Sequence, residues 1–146
     1  MASRRKGRIL AFQALYSWDV HNGEALDTSI PEGLLDFSWA MKDKPINGEI
    51  LTFSRLLLTG TVENIKVVDQ MIQKHLENWE IKRLNRVDLA IIRMSTYSLM
   101  FQTDMPPSVV IDEAVDISKE FGTDDSYRFV NGVLDSIRKT ISAVGS

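Results

Sequence analysis

Apolar residues recur at helical spacing along almost the whole chain, and no run of β-branched residues alternates with polar ones as a half-buried strand requires. Proline stands only at positions 31, 45, 106 and 107, so long stretches are free of helix breakers. A first helix is predicted from Arg4 to Val20, with Ser3 as N-cap, followed by the polar loop HNGEALDTS. A second begins near Pro31, where proline suits a first helical turn, and runs through Leu34, Leu35 and Met41 to the loop KDKPING. Asn47 caps a third helix that carries Ile50, Phe53, Leu57, Val62, Ile65, Val68, Ile72 and Leu76 toward Trp79, with a kink at Gly60.

The second half of the chain is better marked. Asn85, followed three residues later by Asp88, makes a capping-box-like start to a helix carrying Val87, Ile91, Met94 and Phe101, which the MPP at 105–107 ends. From Ser108, Val110, Ala114, Ile117 and Phe121 line one face of a fifth helix, closed by Gly122 at the C′ position. A last helix starts at TDDS and sets Val130, Val133, Leu134, Ile137 and Ile141 on one stripe. Asn131-Gly132 would suggest a hairpin if its neighbours alternated, but they keep the helical period. Gly132 should cost about 1 kcal/mol relative to alanine there, so a close approach by another helix is expected. The fold class is all-α, with about six to seven helices, and the expected core includes Phe12, Leu15, Ile91, Ile117, Val133 and Ile137.

Length and composition bound what such helices can do. A chain of 146 residues, 44% hydrophobic and 25% charged, is one domain or two small subdomains sharing a core. With no cysteine, disulfides, thiolate metal sites and a cysteine nucleophile are excluded. The start of the chain is basic and then apolar, but Gln13, Tyr16 and Trp18 break the apolar run and no small-residue cleavage pattern follows, so a signal peptide is not expected. No apolar run approaches the ~20 residues needed to cross a bilayer, and a soluble, cytoplasmic protein is expected.

Catalytic motifs are not found. There is no GxGxxG, Walker A loop or GxSxG, and His21 and His75, both expected at the surface, have no ligand-spaced partners. Asp112, Asp116 and Glu120 recur every four residues, with Glu113 beside them, which could suggest acid–base work or a cation site. A solvated face opposite Val110, Ala114 and Ile117 accounts for them better. The charge distribution is more informative. Net charge is −3, yet Arg4, Arg5, Lys6 and Arg8 crowd one end and no carboxylate precedes Asp19; without those four, 13 basic side chains face 20 acidic ones. They sit where the helix dipole is already positive, at a cost of about 0.3–1 kcal/mol for each well-placed charge. Helix stability alone would select acids, so the placement favours an external polyanion over a merely solvated end. Arg5, Arg8 and Tyr16 fall within about 80° on a helical wheel, which suits single-stranded RNA: guanidinium forks for phosphates and a ring for a base. Tyr16 could instead cap the core with its hydroxyl outward, and the sequence does not separate the two.

RRKGRILAFQALYSWD resembles the N-terminal signature of the NusB family of transcription antitermination factors, and ENWEIKRLNRVDLAIIRMSTYSL, PPSVVIDEAVDISKEFG and DDSYRFVNGVLDSI agree with it in order. Residues 20–47 match only in helix placement. The resemblance implies an all-helical RNA-binding domain over 1–146, of two packed three-helix subdomains (roughly 1–80 and 81–146), with no active site, cofactor or metal. It implies pairing with NusE, a ribosomal small-subunit protein, to grip a boxA-type single-stranded element in nascent ribosomal RNA, so that RNA polymerase reads through terminators. By position, RNA-binding residues fall on Arg4, Arg5, Lys6, Arg8, Tyr16, Arg128 and Phe129, and partner contacts near Asp88 and Asp125. Gly7 interrupts the basic cluster and suggests a frayed first turn that orders on RNA. A homodimer stays open. So do a protein-interaction module without an RNA role and the related N-terminal domain of ribosomal RNA cytosine methyltransferases, although the chain ends at Ser146 without a methyltransferase domain.

Overall fold

The computed structural model describes residues 4–22, 28–42 and 44–145, and among them it forms seven α-helices and no strand. These are α1 (Arg4–Asn22), α2 (Glu32–Leu35), α3 (Gly48–Glu63), α4 (Ile65–Lys74), α5 (Arg86–Phe101), α6 (Pro107–Phe121) and α7 (Ser126–Gly145), with single 3-10 turns at Ser38–Ala40 and Ile81–Arg83. The expected cap Ser3 and much of the HNGEALDTS loop lie outside the described residues.

The organising element is α5. Every residue from Asp88 to Leu99 is buried, because α1, α3, α4, α6 and α7 all pack around it. Its sequence is apolar or small almost all the way round, as a helix enclosed on every side requires. Asn85 starts it as expected: its side-chain oxygen accepts from the backbone N–H groups of Val87 and Asp88 at 2.8 and 3.3 Å. One cluster joins Phe12, Leu15 and Trp18 of α1 to Leu57 and Leu58 of α3, Ile91 and Ile92 of α5, Ile117 of α6 and Leu134 and Ile137 of α7. All six residues expected in the core are buried.

Several local expectations give way to tertiary structure. The helix expected from Pro31 to Met41 is one turn of α-helix and one 3-10 turn, broken at Phe37, whose φ is 56°. Left-handed backbone costs a non-glycine residue about 1–3 kcal/mol. Complete burial of the Phe37 ring against Trp39, with centroids 5.5 Å apart, stabilises by a similar amount. The Asp36 carboxylate holds the bend by accepting from the Ser38 N–H at 2.9 Å.

The third predicted helix divides at Asn64 rather than Gly60. The Asn64 amide and backbone N–H both donate to the Gly60 carbonyl, at 2.8 and 3.1 Å, a side-chain competition that ends α3. Gly60 itself lies within α3, where a methyl would overlap the Tyr97 ring. Gly122 closes α6 in extended rather than left-handed backbone (φ −93°, ψ −169°). It is glycine because a Cβ would come within 2.6 Å of Ser126 Cβ and 2.8 Å of the Ser118 carbonyl oxygen. Gly132 is exposed, and a Cβ added to it would meet nothing within 4 Å, so the close helix approach expected there is absent. His75, expected at the surface, is half-buried: its ring nitrogens lie 2.7 Å from Ser136 Oγ and 3.1 Å from Thr140 Oγ1 of α7.

Candidate nucleic-acid interface

The basic turn is built on a close helix crossing. Gly7 is buried where α1 meets α3, and a Cβ there would stand 2.6 Å from Phe53 Cδ2. The Ser54 hydroxyl lies 3.0 Å from the Gly7 carbonyl and 2.9 Å from that of Ile50, and donates between them. The glycine is therefore the residue that admits Phe53, and the first turn is helical from Arg4 instead of frayed. Farther along α1, Phe12 meets Phe121 of α6 edge-on at 5.2 Å, while Trp18 is buried and donates its ring N–H to the Ser29 carbonyl at 3.2 Å.

The four cations then part company. Arg4 is exposed, with its guanidinium 4.7 Å from the centre of the Phe53 ring. Arg8 approaches the same ring at 5.4 Å but is 3% exposed, and it donates to the Met105 sulfur at 3.4 Å, a weak acceptor. Burial, opposed by Glu113 and joined by repulsion from Arg4 and Arg5, pushes the Arg8 guanidinium below its ordinary value. Arg5 forks onto α6, with Nε 2.6 Å from Glu113 Oε2 and Nη2 2.7 Å from Asp116 Oδ2. Those carboxylates, Glu113 first, raise its pKa. Part of the acidic face of α6 thus answers the basic turn. Lys6 is exposed, and the Tyr16 ring is 40% exposed about 17 Å farther along the helix axis than Arg5.

The remaining predicted residues gather at the start of α7. Arg128 is exposed, donates from Nε to the Tyr127 hydroxyl at 3.0 Å and lies over the Tyr127 ring. Phe129 is half-buried beside a shallow hollow of about 350 Å³ that it shares with Trp79 and His75. Asp125 is exposed, and its carbonyl accepts from the N–H groups of Arg128 and Phe129 at 3.2 and 3.4 Å. Asp88 is buried behind it, within reach of the Ser126 hydroxyl, and its Oδ1 has no hydrogen-bond partner. Burial raises its pKa, a rise that the Ser126 hydroxyl opposes. The structure therefore brings Asp88 and Asp125 to one end of α7. Nothing in the sequence pattern shows that Phe53, Glu113 and Asp116 meet the basic turn, because those contacts span dozens of residues and leave no local pattern.

Among the described residues no cluster of three His, Cys, Asp or Glu side chains could hold a metal ion, and no helix is long and apolar enough to cross a membrane. The family model described as the NusB family matches residues 5–139. The transcription antitermination protein NusB of Treponema denticola is 56% identical over 137 residues, which span 92% of this chain and 95% of that protein. The solved structure of T. maritima NusB superposes with a TM-score of 0.79 at 35% identity, covering 95% of this chain and 93% of its own. A chain in the crystal structure of antitermination factors NusB and NusE in complex with dsRNA superposes with a TM-score of 0.80 at 29% identity, covering 94% and 96%.

Proposed function

The chain belongs to the NusB family, and from that premise we propose that it is an RNA-binding transcription antitermination factor rather than an enzyme. With a NusE-type ribosomal protein it grips a boxA-like single-stranded element of nascent ribosomal RNA and promotes read-through by RNA polymerase. The observation that carries the reading is a basic helical turn, set against its own dipole, on a helix anchored in the core through Leu10, Ala11, Phe12, Ala14, Leu15 and Trp18. Such a turn presents its charges from a backbone already in place, so binding has only the side chains to order. Arg4, Arg5 and Lys6 meet phosphates, Arg8 adds its field from beneath, and Tyr16 stacks on a base. Arg128 and Phe129 extend the RNA surface, while Asp125 and the Asp88 behind it form the NusE-facing end. The two-subdomain division implied by the resemblance would put the basic turn in the first subdomain and α5, α6 and α7 in the second.

One observation favours a bland second reading, in which the basic end is only solvated: Arg5 already has two carboxylate partners. Titration with a short single-stranded boxA-like RNA, with and without the NusE-type protein, separates the two. The expected result is binding that tightens with the partner and weakens with salt. Absence of binding in both conditions would remove the RNA role.

A further inference from the structure

Beside the basic turn, α3 and α5 leave an open hollow of about 1010 Å³. Arg4 stands on its rim over Phe53, and Leu56 and Phe101 line it although they are 50% and 47% exposed. Phe101 stacks on Tyr97 with ring centroids 5.4 Å apart at 29°, so its ring is held from behind and open in front. Large apolar side chains left this exposed beside one another are uncommon unless something covers them.

The charges around the hollow narrow the occupant. Arg4 would hold a phosphate at the rim, whereas Glu49 and Asp104, also lining the hollow, would repel one inside it. Carboxylates do accept from the amino and imino groups on a base edge, and a base has a π-face for Phe101. Three charged side chains around one hollow, Arg4, Glu49 and Asp104, suit a protein interface poorly, since interface cores are depleted of charge.

We propose that this hollow receives one unstacked nucleobase, bearing an N–H donor on its edge, from the RNA strand whose phosphates lie on the first turn of α1. The inference rests on the RNA-binding reading above. Phe101 is the stacking platform, and Glu49 and Asp104 face the base edge.

The test titrates a short single-stranded boxA-like RNA against the parent protein and Phe101→Ala. A second arm moves a single abasic site along the same RNA. Phe101→Ala should weaken binding about 5- to 150-fold with the salt slope unchanged, and Phe101→Tyr should restore it. On the parent, one abasic position should reproduce that loss, and Phe101→Ala should lose nothing further on that RNA. Parent-like affinity in Phe101→Ala, or an abasic scan with no sensitive position, would overturn the inference while leaving the RNA role intact. A dimer in sedimentation that Phe101→Ala dissolves without changing RNA affinity would assign the hollow to a second copy and overturn it too. Failure of the parent to bind any of these RNAs would overturn the RNA-binding reading itself.

Discussion

Arg4 and Arg8 lean on one phenylalanine and differ in what they offer a ligand. Both guanidiniums lie over Phe53, but Arg4 faces solvent and Arg8 is buried against a thioether. A phosphate contact releases counterions in proportion to the charge it neutralises, about 0.7 per contact on a single strand. Arg4→Ala should therefore flatten the slope of log affinity against log salt by about 0.7. Arg8→Met, which keeps the stem that fills the α1–α3 crossing, should change that slope less. Because burial and two neighbouring arginines disfavour the Arg8 charge, its folding stability should hold or rise. Tyr16→Ala should cost about 1–3 kcal/mol of binding with the slope unchanged. Salt titrations and thermal melts of the three variants check this, and a full 0.7 loss in Arg8→Met would mean that Arg8 leaves its pocket to meet RNA. The basic cluster was legible because charges against a helix dipole stand out in a sequence. Which of its members is buried was not, since that is decided by Phe53 and Met105, 45 and 97 residues away from Arg8.

At the level of elements, legibility followed the strength of the apolar stripe. The bodies of α1, α5, α6 and α7 stand where the helical period puts them, because α1, α6 and α7 each turn a buried face to the core that encloses α5. Periodicity failed between Pro31 and Met41, where burying Phe37 offsets its unfavourable backbone, and at Asn64, where a side chain joins the backbone N–H on a helical carbonyl. It also gave no sign of the contact between α4 and α7 through His75, whose two hydroxyl partners arrive from a helix some 60 residues on. Burial, with help from Lys74, lowers the His75 pKa, so folding favours the neutral ring. A histidine depressed on folding contributes stability that is fully present above its unfolded pKa of about 6.5 and is lost as pH falls through the lower folded value. Melting temperature should thus decline below about pH 6.5, and His75→Gln, which can still bond one hydroxyl, should show a shallower decline. Equal declines in parent and variant would assign the acid sensitivity to other groups.

Across the whole molecule, the end of α1 opposite the basic turn is fixed by ions. Arg93 of α5, 4% exposed, donates from Nε and Nη2 to the two oxygens of Asp69 on α4, both at 2.9 Å, and from Nη1 to Asp19 of α1 at 3.3 Å. Asp19 is shared with Arg86 at 3.3 Å, and the Arg93 guanidinium lies 5.8 Å from the Trp18 ring. Two arginines and two aspartates leave no net charge, so three helices meet at a neutral, directional joint. No apolar pattern predicts it. Its strength lies in its completeness, because removing Arg93 takes from the half-buried Asp69 the guanidinium that bonds both its oxygens and leaves the buried Asp19 with Arg86 alone. Arg93→Met should cost about 3–5 kcal/mol of folding stability, and Arg93→Met with Asp69→Leu should recover most of that, since an apolar pair of similar volume is often neutral or better. Urea denaturation of the two variants measures both. If α1 acts as a rigid arm pinned here, the single variant should also weaken RNA binding without flattening its salt slope, because the phosphate contacts survive while their fixed geometry does not. A single variant as stable as the parent would show that packing alone holds α1 against α4 and α5.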